Sequence, residues 1–421
     1  MTHRLTVIAL AVVGLAACSA GTSSSDEAPA TSTDLTAVTP DGDDTDEVVL
    51  ETGPTTLAEP DAAATPPTTT PPTTETDEPS PSASCVDSLD LSAVAALTVW
   101  PAVGPGQWDD ATDAVDRLGV GGLVLFEPQA STAADVELLL AELEAASHHG
   151  LLIATDEEGG VVQRLSIVGE LASQRSLGSE LGPGDDLGDV IRAHGAAIRA
   201  LGVDIVFGPV VDVAPEVGDT PLSDSRFFPG GPGDVAALAS IYVDAWNDAG
   251  LIATLKHFPG HGSASADTHD GAATTPELDA LEPRDLVPYR VLSDRVADGA
   301  ALVMVGHLTV PDLTDGEPAT RSPAAVDLLR SIPGYRDAVV VSDALGMGAV
   351  GLDEADASVA ALAAGIDVVI FTRTERTEAV IEAIVDAIAT GDLDENELRA
   401  SARRVMALLE RDGHRCGAPA T

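Results

Sequence analysis

Short runs of Val, Ile and Leu alternate along the chain with Ala- and Leu-rich stretches whose apolar positions recur at helical spacing. The first kind reads as strands covered on both faces, the second as amphipathic helices packed over them. Strand-like runs fall at 97–103, 122–126, 151–156, 203–213, 252–258, 301–310, 338–345 and 367–371, eight in all. Helical periodicity occupies 132–147, 234–249, 286–298 and 355–364, and two more helices are expected at 375–389 and 395–410. Eight strand–helix units within residues 85–421 predict a single α/β catalytic domain, a (β/α)8 barrel of the TIM type. A doubly wound open sheet is the alternative, but no Gly-x-Gly-x-x-Gly follows the first strand to support it.

Two segments stand outside this pattern. Residues 1–18 have a short basic start (His3, Arg4), an apolar run over 5–15 that is too short to span a bilayer, and small residues before Cys18. Leu15-Ala16-Ala17-Cys18 resembles the lipobox of bacterial lipoprotein signals, which implies cleavage before Cys18 and its acylation. The protein is then expected on the outward side of the cell membrane, held by a lipid anchor. Residues 19–84 are dominated by Thr, Pro, Ser, Ala and acids and lack aromatic residues, Lys and Arg. Such a segment cannot build a core and is expected to be disordered, a self-repelling stalk able to reach up to roughly 200 Å.

Composition narrows the partners. The 421 residues carry 21 Lys+Arg against 69 Asp+Glu, a formal net charge of −48, which excludes nucleic acid as a main partner. Lys256 is the single Lys of the chain. Cys85 and Cys416 flank the folded part of a chain whose signal takes it out of the reducing cytosol, so a disulfide between them is expected.

A barrel of this type gathers its chemistry at the C-terminal ends of its strands. The third strand ends in Asp156, followed by Glu157-Glu158-Gly159-Gly160 and Gln163-Arg164. The fourth leads through Asp212 to a loop carrying Arg226. The fifth ends Lys256-His257-Phe258-Pro259-Gly260-His261-Gly262 and continues to Asp267-Thr268-His269; the sixth ends near His307, and the seventh in Ser342-Asp343. Each alone is weak, because a carboxylate at a strand end is often the N-cap of the next helix. Together they set carboxylates, His, Arg and the only Lys on one face. A Lys kept beside His257 suggests a point charge that Arg cannot replace; the plain alternative is chance.

These strings, with Ser342-Asp343-Ala344-Leu345-Gly346-Met347, resemble glycoside hydrolase family 3, specifically its β-N-acetylglucosaminidase branch, over about residues 90–410. The resemblance implies a retaining exo-glycosidase that removes terminal β-linked N-acetylglucosamine from glycans such as cell-wall fragments, without cofactor or metal, and a monomer is expected. It implies Asp343 as the nucleophile that forms a glycosyl ester, His269 as acid/base, and Asp267 hydrogen-bonded to the other nitrogen of His269. Asp156, Arg164, Arg226, Lys256 and His257 match the family's sugar-binding positions. The usual retaining pair is two carboxyl groups about 5–5.5 Å apart, and an imidazole already titrating near neutrality is a sensible substitute for the second. Larger family members take the acid/base from a second domain, but only residues 372–421 follow the eighth strand here, so it is expected from the barrel itself.

Three positions depart from the family pattern: Ser263 where Asp is usual, Phe227 within Arg226-Phe227-Phe228 where Ser is usual, and Val161 where Arg is common. They bear on substrate preference and loop shape. Two other function classes compete: a metal-dependent barrel hydrolase using His257, His261, His269, His307 and Asp267, and a sugar-binding lipoprotein without turnover. Chelator sensitivity and an aryl glycoside assay separate them. His261 reads as a turn-shaping residue, His307 as either a core histidine or a pocket wall, and Trp100, Trp108 and Trp246 as packing.

Overall fold

The computed structural model describes residues 85–127, 130, 132–215, 220–411 and 413–414. Cys18, Cys416 and the segments expected as signal and stalk lie outside the described residues. Eight barrel strands follow in chain order: β1 (Val99–Val103), β2 (Gly122–Leu125), β3 (Leu152–Thr155), β4 (Ile205–Val206), β5 (Ala253–Phe258), β6 (Ala301–Val305), β7 (Val340–Ser342) and β8 (Val369–Phe371). One parallel sheet runs β8-β1-β2-β3-β4 and a second runs β7-β6-β5. Isolated parallel bridges join them at both seams, Ile205 to Ile252 and Val210 to Lys256 between β4 and β5, and Val341 to Val368 at the entry of β8. Every strand therefore neighbours its successor in sequence and β8 returns to β1, which closes the barrel and leaves no edge.

Every residue in these eight strands is buried, as the continuous apolar runs require when helices cover the outside and side chains fill the inside. The helices start where the sequence supplies caps: Thr132 accepts from the Asp135 N–H, and Asp353 from Ala355. Trp100 and Trp246 are fully buried and Trp108 nearly so, which fits their reading as packing.

Three differences from the sequence reading have local causes. The run 203–213 pairs in a ladder only at Ile205–Val206, with one further bridge at Val210, because Pro209 has no N–H to give and the chain then turns inward. The helix expected at 286–298 is two short helices, Val287–Val291 and Ser293–Ala297, meeting at Leu292 (φ −87°, ψ 4°). Two helices between β3 and β4, Gln174–Leu181 and Asp185–Arg199, are additional to those expected; Gly178, Gly188 and Gly195 lower their helix propensity although their apolar stripe is intact. Gly195 in the second is required by close packing, since a Cβ there would lie 2.8 Å from the Trp246 ring.

Candidate active site

At the exit of β3 the chain continues as a hairpin of Glu157–Gly159 against Val162–Gln163, and the period-2 alternation sorts three carboxylates. Glu157 faces away from the barrel mouth. Its carboxylate accepts from the backbone N–H groups of Arg164 (3.1 Å) and Leu165 (3.0 Å) and meets His194 Nε2 at 2.9 Å. Asp156 and Glu158 point the other way and share the ammonium of Lys256, at 2.7 Å and 2.6 Å. Glu158 also takes a two-bond fork from Arg226, both at 2.8 Å. Two acids and two cations thus form one compact cluster, with Lys256 and Glu158 almost wholly buried. Burial pushes the Glu158 carboxyl up, but Lys256 and Arg226 outweigh it and hold it at about 2. Burial alone pulls the Lys256 pKa down, and the Asp156 and Glu158 charges raise it overall, so it stays cationic. Arg164 lies 3.8 Å from Asp156 and stacks over Phe126 at 5.1 Å from the ring centroid, a cation–π contact.

Asp212, fully buried where the β4 exit turns inward, organises the neighbouring histidines. One oxygen accepts from the backbone N–H groups of His257 (3.1 Å) and His261 (2.7 Å), and the other lies 2.7 Å from His257 Nδ1. Burial raises its pKa, but these partners pull it below the ordinary carboxylate value. An ionised carboxylate only accepts, so His257 carries its proton on Nδ1 and its Nε2 is left for a ligand or a proton.

Asp343 leaves β7 into the same mouth. Burial pushes its carboxyl up, but His257, His307, the Ala344 N–H (2.8 Å) and the Lys256 charge hold it at about 2. It is ionised at neutral pH and half-buried in the mouth, as suits an oxygen nucleophile that a substrate must reach. His307 buttresses it: Nε2 lies 3.0 Å from the Ala344 carbonyl and so donates, and Nδ1 accepts from Thr320 Oγ1 at 2.8 Å. Burial lowers the His307 pKa. His307 is 1% exposed with both ring nitrogens bonded within the protein, as a core histidine is, and it lies against the residue that follows Asp343.

The loop after β5 carries His269, whose Nδ1 lies 2.6 Å from Asp267 Oδ1 while its backbone N–H donates to the same oxygen at 2.9 Å. The Asp267 pKa is lowered: burial raises it, and the His269 N–H groups more than offset that. His269 is exposed, and a Cβ on Gly348, five residues after Asp343, would lie 3.0 Å from its carbonyl, which sets the loop against the β7 exit.

The mouth therefore brings together Asp156, Arg164, Arg226, Lys256, His257 and Asp343, with Asp267 and His269 on its covering loop. Glu158 and Asp212 hold this arrangement and carry no role in the sequence reading. Glu158 was legible through its two-residue spacing from Asp156 on an extended segment; Asp212 had only its place after an apolar run. Among the described residues, no group of three or more His, Cys, Asp or Glu side chains is arranged to hold a metal ion. Cys85 is disulfide-bonded, with its expected partner Cys416 outside the described residues.

A closed parallel barrel with an ionised, half-buried Asp at its mouth beside a bound Lys and an Asp-paired imidazole defines a glycoside hydrolase site. The glycosyl hydrolase family 3 N-terminal domain matches residues 92–408, and the chain belongs to that family. It is 39% identical over 322 residues to the β-hexosaminidase LpqI of Mycobacterium tuberculosis, covering 73% of this chain and 80% of that protein. Among solved structures it is similar to a family 3 glycosyl hydrolase of Mycobacterium smegmatis (TM-score 0.71, 35% identity, 77% of this chain and 98% of that one). It is also similar to a family 3 β-N-acetylglucosaminidase of a Paenibacillus species (TM-score 0.69, 31% identity, 79% of this chain and 64% of that one).

Proposed function

We propose that this enzyme hydrolyses terminal β-linked N-acetylglucosamine with retention, using Asp343 as nucleophile and His269 as acid/base. The observation that carries this reading is the half-buried Asp343 held ionised at the β7 exit, under a loop whose exposed imidazole is oriented by Asp267. The similarity to β-hexosaminidases and β-N-acetylglucosaminidases supports the glycone. In the first step an Asp343 oxygen bonds to the anomeric carbon as the glycosidic C–O bond breaks, and protonated His269 gives its proton to the departing oxygen. Neutral His269 then takes a proton from water as that water attacks the same carbon, Asp343 leaves as carboxylate, and two inversions give retention. Asp156, Lys256, His257, Arg164 and Arg226 hold the sugar's hydroxyl and acetamido groups; Lys256 and Arg226 arrive already fixed by Glu158, so little ordering remains to be done on binding.

The lipobox-like Leu15-Ala16-Ala17-Cys18 supports an envelope lipoprotein anchored through Cys18, with 19–84 as a stalk. Cell-wall fragments are then the substrate pool within reach, and the protein acts as a monomer without cofactor. Replacement of Asp343 by Ala is expected to preserve the fold and reduce hydrolysis of an aryl N-acetyl-β-glucosaminide at least about a thousandfold. Trapping with a slow fluorinated N-acetylglucosaminyl donor, followed by peptide mapping, should label the peptide containing Asp343. A label on any other carboxylate overturns the assignment.

A further inference from the structure

We propose that Thr268 and His261 form a latch that positions the His269 imidazole, closed from the other side against Gly348 at the exit of the nucleophile's own strand. The inference rests on the acid/base reading of His269 given above and goes beyond it by assigning what holds that imidazole in place. Asp267 and His269 present exposed or half-exposed side chains to the mouth, whereas Thr268 between them is 1% exposed. Its hydroxyl lies 3.1 Å from His261 Nε2, and its carbonyl accepts from the Ala349 N–H at 3.2 Å. Among the described residues, the other hydrogen bonds of 264–271 run within the loop itself, to Thr274, or, at its first residue, from the Ala264 N–H to the His261 carbonyl. Thr268 is therefore the point at which the loop is tied to the barrel.

Both ties end on rigid ground. The His261 N–H is held by Asp212 at 2.7 Å, and the adjacent Gly262 sits so close to the β4 exit that a Cβ would lie 1.8 Å from the Val213 carbonyl. On the β7 side, a Cβ on Gly348 would lie 3.0 Å from the His269 carbonyl and 3.3 Å from that of Asp270, so the loop backbone rests directly on the glycine. Asp343 is five residues earlier on the same segment. The latch thus fixes His269 relative to both the sugar-binding His257, through their shared Asp212, and the nucleophile. Burial lowers the His261 pKa, so it bonds Thr268 as a neutral imidazole.

Loss of the latch leaves Asp343, Lys256 and His257 in place and mislays the proton donor. Thr268→Val, which keeps the β-branched shape and removes the hydroxyl, should lower kcat/KM about 10- to 100-fold on a glycoside with a poorly acidic leaving group, such as N,N′-diacetylchitobiose. On the 2,4-dinitrophenyl glycoside, whose leaving group needs no proton, kcat/KM should stay within about threefold, with a product burst because deglycosylation still needs the base. Thr268→Ser should restore chitobiose cleavage, and Gly348→Ala, acting from the opposite side, should reproduce the selective loss. His269→Ala is measured in parallel. If it shows the leaving-group dependence and Thr268→Val and Gly348→Ala do not, or if they lose both substrates equally, the latch is wrong and the acid/base reading stands. If His269→Ala itself loses both substrates equally, the acid/base reading falls and takes the latch with it.

Discussion

Asp212 makes three hydrogen bonds with two oxygens, and none of its donors has a substitute nearby: two are backbone N–H groups and the third is the Nδ1 that sets the His257 tautomer. Asn at this position keeps the oxygen that serves the backbone but turns an NH2 toward His257, which drives the imidazole proton to Nε2 and aims a donor where an acceptor stood. Asp212→Asn is expected to fold normally and lose about 10- to 100-fold in kcat/KM, chiefly through KM if His257 binds the sugar as proposed. A variant with wild-type KM and kcat would show that the tautomer is irrelevant. At this scale the chemistry-bearing side chains could be read from the chain because Lys256, His257, Asp343 and His269 stand in short, dense strings. Their supports could not. Asp212 is 45 residues from the His257 ring it orients, and Glu158 is 68 from the Arg226 it clamps, so only the closed barrel brings them together.

Between the exits of β4 and β5 a second carboxylate is buried with no part in the reaction. Asp285 lies beneath Gly260 and faces Ser263 at 3.3 Å, with Arg284 at 3.3 Å and Asp212 close enough to repel it. Burial raises its pKa to about 7, against the partial opposition of Arg284. An acid that holds its proton more firmly in the folded than in the unfolded chain stabilises the fold fully below pH about 4 and loses that contribution as pH rises through about 7. Asp285→Asn, neutral at every pH, removes the dependence. The difference in unfolding free energy, variant minus wild type, should climb by roughly 1.4 kcal/mol per pH unit across that window. A difference constant from pH 4 to 8 would contradict the buried, protonated state. Ser263, one of the departures from the family pattern, is the residue that lets Asp285 and Arg284 meet here without a further charge. Among elements, strands were placed well because their side chains are buried on both faces and the apolar run is unbroken. The helices Gln174–Leu181 and Asp185–Arg199 were not: their apolar stripe is present, with Leu187, Ile191 and Ile198 buried in the second, but glycines chosen for close packing lower the helix propensity of both.

For the whole molecule, the barrel must close while a chain of net charge −48 repels itself, and a disulfide at Cys85 constrains it. Cys85 is disulfide-bonded, and a non-reducing digest should recover it joined to Cys416. Cys85→Ser should cost about 2–5 kcal/mol and lower Tm by on the order of 5 °C, measured by calorimetry in parallel with reduced wild type. An unchanged midpoint in both would show that the bond constrains nothing. By itself the sequence determined the fold class, the number of barrel units, the family and the candidate side chains that gather at the mouth, because those depend on local periodicity and on contiguous strings. Tertiary structure alone decided which acid pairs with which base, which carboxylates are ionised, and where the catalytic loop is tied down. Those properties depend on burial and on distances of a few ångströms between residues far apart in the chain, and neither exists until the eighth strand has met the first.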